Sequence, residues 1–327
     1  MKTYLVGGAV RDRLMGLAPK DHDYVVVETT SLEMQRLGFL RVGASFEVFI
    51  HPKTKDEYVV AKELNKDLER RDLTINSMAM DENAQIIDPF GGQKDLAEKI
   101  LRHTSVHFGD DPLRVYRLAR FKAQWPDFTI HPDTFDLAAR LASGKAFKNL
   151  HGNRVFNELR LALESRKPSE FFNTLESLGA LAPHYGKMVK WDHLDIIPAD
   201  AALRFSALAM EINYADIDSF CDDLYVPAMW KIKSQTAHKA GQFLLKQNFS
   251  ASAIVDFFYS IDIFRRPELM DFLESLIPSR FRPFRRYFNT VRPVSVTPGK
   301  LTGKQIAVEI KRNRIDLLAK VLAKKPD

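Results

Sequence analysis

The stretch Tyr4–Val27, YLVGGAVRDRLMGLAPKDHDYVVV, places a glycine pair, an arginine and two aspartates one residue apart in a short run of chain. Its two ends are rich in aromatic and β-branched residues and read as strands. AVRDRLMG between them reads as a short helix closed by Gly16. If the second strand begins at Asp21, then Asp21 and Asp23 differ by two positions and project from one face. Carboxylates that close repel unless a cation neutralises them, and Mg²⁺ takes a few carboxylates together with phosphate oxygens. Gly7 and Gly8 lack side chains, so backbone amides there can approach a phosphate. Arg11, at the start of the helix, adds a guanidinium beside the positive end of its dipole. The competing account is an acidic, solvated turn, and the rest of the chain has to decide.

Outward from that stretch, FEVFIH and DEYVVAKE continue the strand pattern, bounded by turn residues. IIDPFGGQKDLAEKILRH then places a turn before a run with helical apolar spacing. From about Asp111 onward the pattern is helical, as in DPLRVYRLARFKAQW, NRVFNELRLALES, PSEFFNTLESLGAL and DLLAKVLAKK. HYGKMVKWDHLDIIPADAAL and NTVRPVSVTPGKLTG are the candidate linkers. The expected fold is α+β: a small mixed sheet with helices as a head, followed by an all-α neck, body and tail. The expected segments are 1–105, 106–185 and 186–327.

A chain of 327 residues is long for a single core. Its net charge of +6 and pI near 9.2 suit a polyanionic partner without proving one. One cysteine, Cys221, excludes an intramolecular disulfide and any cysteine-based zinc cluster. No apolar run approaches the roughly 20 residues needed to span a bilayer. With no leader pattern before the first strand, a cytoplasmic protein with no membrane partner is expected.

GGAVRD followed by KDHDYVVV resembles the signature of the polymerase-β nucleotidyltransferase superfamily. It is most similar to the branch holding bacterial class II tRNA nucleotidyltransferases and poly(A) polymerases. The resemblance implies that Asp21 and Asp23 are catalytic and hold Mg²⁺, with Gly8 and Arg11 cradling phosphate. Such phosphoryl transfer rests on positioning and charge neutralisation, so few reactive side chains are required. RRDLTINSMA, beside an apolar helical pattern, resembles the family's nucleotide motif; it implies that Arg71, Asp72 and Asn76 meet ribose hydroxyls and phosphates. Capping of a helix by Asp72 is the structural alternative. DDPLRVYRLARF resembles the EDxxR base-reading motif at Asp111 and Arg114, with Arg117 and Arg120 matching family arginines of the nucleotide pocket. Asp110 stands where the family often has Glu. NRVFNEL resembles the last motif, with Arg154 and Glu158 retained and Asn153 replacing Glu; it reads as a helix brace with little catalytic consequence. IDPFGGQKDLAEKILRH resembles the family's hinge motif between head and neck, with no chemistry assigned to it, so the likeness covers roughly residues 1–165 in five ordered motifs. The tail stretches RPFRRYFNTVRP and TGKQIAVEIKRNRID fit phosphate-tracking contacts to a structured RNA, or simply a basic surface.

Two departures shape the expectation. Between DEYVVA and Arg70 this chain has only KELNKDLE, where CCA-adding relatives carry a longer loop. Relatives without that loop stop after two cytidines, so a CC-adding enzyme is expected. Met210 and Glu211 stand where longer relatives place a His-Asp metal pair, so no phosphohydrolase activity is expected. The implied activity is transfer of CMP, and of AMP if A is also added, from CTP or ATP to the 3′-hydroxyl of tRNA, contacted at its 3′ end and acceptor arm. Complete CCA addition, poly(A) polymerisation and non-catalytic RNA binding stay open as alternatives.

Overall fold

Lys2–Val6 (β1) runs into Gly8–Leu14 (α1), and Asp23–Val27 (β2) returns antiparallel with Asp23 opposite Val6. Ser31–Arg36 (α2), Leu40–Val42 (β3), Val48–Ile50 (β4) and Glu57–Val60 (β5) follow, β5 lying parallel to β2 with Glu57 opposite Asp23. Leu64–Glu69 (α3) leads through a 3₁₀ turn at Thr74–Asn76 to Ala79–Met80 (β6) and Ile86–Ile87 (β7). The sheet order is β3-β4-β5-β2-β1-β6-β7, so β1 is flanked by β2 on one side and β6 on the other. This computed structural model describes residues 1–42, 47–188, 190–246, 249–296 and 302–324. By backbone proximity the chain divides into two units, Met1–Pro183 and His184–Asp327.

Period-2 alternation decides which side chains meet which helix. Val6, Val25 and Val27 face the sheet side covered by Leu68 of α3. Leu5 faces the other side with Ala9 and Val10 of α1 and Met78. The first unit then continues through Gly92–Ala97 (α4), Ile100–Leu101 (β8), Arg114–Gln124 (α5), Thr129–Ile130 (β9), Pro132–Ser143 (α6), Lys145–Lys148 (α7), Gly152–Leu163 (α8) and Ser169–Ser177 (α9). On α5 the buried face is Val115, Tyr116, Leu118, Ala119 and Phe121, which leaves Arg114, Arg117 and Arg120 on a row winding along the opposite side.

The second unit is helical: Ala201–Ala209 (α10), Ile217–Asp223 (α11), Ala228–Leu244 (α12), Ala251–Ser260 (α13), Glu268–Leu276 (α14), Pro278–Val291 (α15) and Gly303–Ala323 (α16). Its core is aromatic, with Phe243 stacked on Phe257 at 4.3 Å. Arg314 of α16 is buried there, its guanidinium 3.6 Å above Phe264 and bonded to the Tyr259 hydroxyl at 2.8 Å. Met210 packs against this core, and its methyl lies where a Cβ on Gly241 would stand, at 2.7 Å.

Four expectations change. Asp21 is not on the strand: β2 begins at Asp23, and Asp21 occupies the bend before it. Pairing with β1 ends at Val6, because Gly7 turns away with φ 71°, so nothing extends the ladder to Asp21. The helix after the Pro-Phe-Gly-Gly turn is short, since Lys99 adopts a left-handed φ of 56° and the chain continues as β8. The apolar pattern of LTINSMA is a 3₁₀ turn and a strand edge rather than a helix. The stretch proposed as a linker at 184–203 is packed, with Tyr185, Met188, Trp191 and Leu194 buried. The other candidate linker lies partly outside the described residues, at 297–301.

Candidate active site

Strand order brings three motifs to one end of β1. Asp23 sits beside Val6 through β2, and Ala79 sits beside Val6 through β6. The N–H of Gly7 donates to Met78 O at 3.1 Å, which seats the 71–76 segment against the glycine turn. That segment is braced from below: Thr74 N–H donates to Arg102 O, Thr104 N–H donates to Asp72 O, and Thr74 Oγ1 donates to the buried Asp95 at 2.6 Å. Gly92 is required here, since a Cβ on it would fall 2.3 Å from Thr74 O.

The resulting cavity, about 530 Å³, is lined by Gly8, Arg11, Asp23, Arg70, Arg71, Asp72, Asn76, Asp111, Arg114, Arg117, Arg120 and Arg154, with Leu113 and Phe121. Seven arginines against three aspartates make it strongly cationic. Its size is that of an ordinary small-molecule site. Every residue expected from the sequence lines it except Asp21. Asp21 is near enough to act on Asp23: partial burial first, and then the Asp21 charge, push the Asp23 carboxyl up, against Arg71 and His22.

Asp72 is the hub. It is 6% exposed, and its Oδ1 accepts from Leu73 N–H at 2.8 Å and Asn76 Nδ2 at 2.9 Å. Its Oδ2 accepts from Arg117 Nε at 2.8 Å and pairs with Arg117 Nη2 at 2.6 Å. Burial alone would raise this carboxyl, but Arg117, Asn76 and the Leu73 amide hold it well below the usual carboxylate range. Asp72 in turn is the first cause raising the Arg117 pKa. These four donors fill the acceptor sites of a carboxylate.

The arginines are held individually. Arg11 is buried, donates to Asn76 Oδ1 at 2.5 Å and to Asp12, and lies 4.6 Å over the Trp125 ring; desolvation lowers its pKa. Arg120 Nε donates to Glu158 at 2.6 Å and lies 4.1 Å over Phe121. Arg114 donates to His107 O and to Arg70 O, each at 2.5 Å, so the helix of Arg114 is tied to the Arg70 backbone. Asp111 accepts from Leu113 N–H at 3.1 Å and from Arg154 Nη2 at 2.7 Å.

Among curated proteins, a CCA-adding enzyme of Coxiella burnetii is 33% identical over 362 aligned positions, which cover 99% of this chain and 96% of that relative. This chain belongs to the CCA-adding enzyme family. The poly(A) polymerase head-domain model matches residues 40–102, and the model described as a probable RNA and SrmB-binding site of polymerase A matches 127–185. A CCA-adding enzyme of Francisella tularensis subsp. novicida is 48% identical over 203 positions, 55% of this chain and 54% of that one. The crystal structure of the Bacillus stearothermophilus CCA-adding enzyme in complex with CTP matches with a TM-score of 0.75 at 20% identity, covering 96% of this chain and 88% of that one. The fold is therefore the polymerase-β-like nucleotidyltransferase fold of this family.

Within this family member, sequence reading missed Asp67, Trp125 and the part played by Glu158. Asp67 had a signal: it precedes Arg70 and Arg71 by three and four residues, helical spacing for ion pairs. Trp125 stands at the end of α5, outside any repeating pattern, and is found only by its stacking on Phe121 and Arg11. Among the described residues no group of three or more His, Cys, Asp or Glu could hold a metal, and no helix is long and apolar enough to cross a membrane. Asp21 and Asp23 offer hard carboxylate oxygens whose mutual repulsion a divalent cation would relieve, a donor set suited to Mg²⁺ shared with a ligand's phosphates.

Proposed function

We propose that this chain transfers CMP from CTP to the 3′-hydroxyl of tRNA, with release of pyrophosphate, and stops after two cytidines. The observation that carries the reading is one cationic cavity collecting Gly8, Asp23, Arg71, Asp72, Asn76 and the arginine row of α5. Asp21 and Asp23 would hold Mg²⁺, which would neutralise phosphate charge and acidify the attacking hydroxyl. Gly8, Arg11 and Arg71 take the triphosphate, and Asp72, its own acceptor sites already filled, holds Asn76 and Arg117 in place at the sugar side of the pocket. Asp111 and Arg114 present an acceptor and a donor to the base edge, with Arg117 and Arg120 alongside. Residues 1–105 serve as catalytic head, 106–185 as base-reading neck, and 186–327 as tRNA-binding body and tail.

The restriction to CC rests on the connector between β5 and Arg70, which is filled by the single short helix α3. The alignment to the Coxiella burnetii relative runs over 362 positions against a chain of 327 residues, so that relative carries insertions this chain lacks. Complete CCA addition, with ATP as second substrate, is the alternative reading, favoured by the name that relative bears. Incubating tRNA that ends at its discriminator base with CTP, ATP or both, and counting added residues, separates the two. Product ending at CC with both nucleotides present is expected. A full CCA end refutes the restriction, and no addition with Mg²⁺ present refutes the transferase reading altogether.

A further inference from the structure

The cavity's two adjacent arginines share a single buried anchor that no family motif read above includes. Asp67, on α3, has a side chain only 1% exposed. Its Oδ1 accepts from Arg70 Nε at 3.0 Å and from Arg70 Nη2, and its Oδ2 accepts from Arg71 Nε at 3.1 Å and Nη2 at 3.0 Å. Each carboxylate oxygen thus holds one guanidinium by one edge. Arg71 has Nη1 left over, and that nitrogen points at the glycine turn, 2.5 Å from where a Cβ on Gly7 would be. A guanidinium is a rigid planar fork, so fixing Nε and Nη2 fixes the direction of Nη1. An unanchored arginine would otherwise spread over many rotamers and lose that freedom only on binding.

We propose that Asp67 is a positioning residue for nucleotide use: it pre-orients Arg71 toward the triphosphate cradle at Gly7-Gly8, and secondarily orients Arg70. This rests on the pocket reading given above. Asp67 acts through arginine and does not itself line the cavity.

The test is a double-mutant cycle on the full-length chain, with Asp67→Asn, Arg71→Ala and the pair, reading CMP incorporation. Asp67→Asn is expected to lower kcat/KM for CTP about tenfold, the loss of a charge-assisted contact. The KM for tRNA should hold close to the parent, while the thermal midpoint falls, because a buried carboxylate paired with two guanidinia is lost. In the Arg71→Ala background the same change should cost less than about twofold, because only Arg70 is then left for Asp67 to hold. Equal losses in both backgrounds overturn the proposal, as does a loss of tRNA use in step with that of CTP. If Asp67→Asn is not recovered folded, Asp67→Glu is carried through the same cycle, and the same two patterns decide. Should Arg71→Ala itself leave kcat/KM unchanged, the pocket reading falls and this inference with it. An Arg71 effect without an Asp67 effect removes only the inference.

Discussion

Asp72 on the segment before the 3₁₀ turn and Arg117 on α5 form a two-contact ion pair at 2.8 and 2.6 Å, joining elements 45 residues apart. The carboxylate is buried and the guanidinium partly so, which makes the pair costly to break from one side. Asp72→Asn should lower unfolding stability by about 2–3 kcal/mol, below the usual buried-pair figure because Arg117 retains solvent and has Glu158 3.7 Å away. The folded Asp72 carboxyl lies well below its unfolded value of about 3.9, so its contribution is fully present above about pH 5 and is lost as pH falls toward the folded pKa. Denaturant unfolding of parent and variant should therefore give a constant gap from pH 8 to about 5, narrowing below about 4. A gap already closed at pH 6 would contradict this assignment of charge.

Arg154 supplies the second prediction. From the sequence it belonged to a helix brace, yet its Nη2 meets the Asp111 carboxylate at 2.7 Å and it lines the cavity. Both partners keep solvent contact, so the pair adds little to stability. Its effect should fall on how Asp111 is presented to a base. Arg154→Ala is expected to reduce kcat/KM for CTP about tenfold while moving the thermal midpoint by no more than a degree or so. A variant that melts earlier and uses CTP normally would return the residue to the role of brace.

Much of the head was legible because its strands obey a two-residue period and its motifs carry the backbone with them. Lys2–Val6, Asp23–Val27 and Glu57–Val60 all fall where β-branched and aromatic residues cluster. The arginine row of α5 was legible for the same reason, through helical spacing. What the sequence concealed are choices made by tertiary approach. Strand length depends on where a partner runs out, which moved Asp21 off β2. Lys99 carries no marker of a left-handed φ, so the early end of α4 is not legible in the sequence. Pairings such as Glu158 with Arg120, or Arg11 with Trp125, join residues far apart in sequence whose approach no local pattern encodes.

Cys221 tests the second unit independently of catalysis. It is 1% exposed, and burial, outweighing Lys231, pushes its thiol up to about 12. At pH 8 the thiolate fraction is then on the order of 10⁻⁴, and access is blocked as well. A thiol reagent should label the native chain at least about a hundredfold slower than the chain in denaturant, where the pKa returns to about 8.5. Fast stoichiometric labelling of native protein is the outcome that the packing around Cys221 forbids.

Gly7 and Gly92 both stand where a methyl does not fit, but the obstacles differ, and so should the consequences. At Gly7 the Cβ would strike Arg71 Nη1, the end of a flexible side chain, while φ 71° adds backbone strain. At Gly92 it would strike the backbone carbonyl of Thr74 at 2.3 Å and Met78 at 2.9 Å, with no side chain free to give way at the carbonyl. Gly7→Ala should therefore be tolerated by the fold at about 1–2 kcal/mol and disturb chiefly Arg71, cutting CTP use. Gly92→Ala has to move the whole Thr74 turn, and should cost about 3 kcal/mol or more in stability along with activity. Thermal unfolding and CMP incorporation measured side by side separate the two cases. If Gly92→Ala melts like the parent, the turn under Asp72 is not held from below by α4, and the bracing of the nucleotide segment has to be sought in its pairing with residues 102–104 alone.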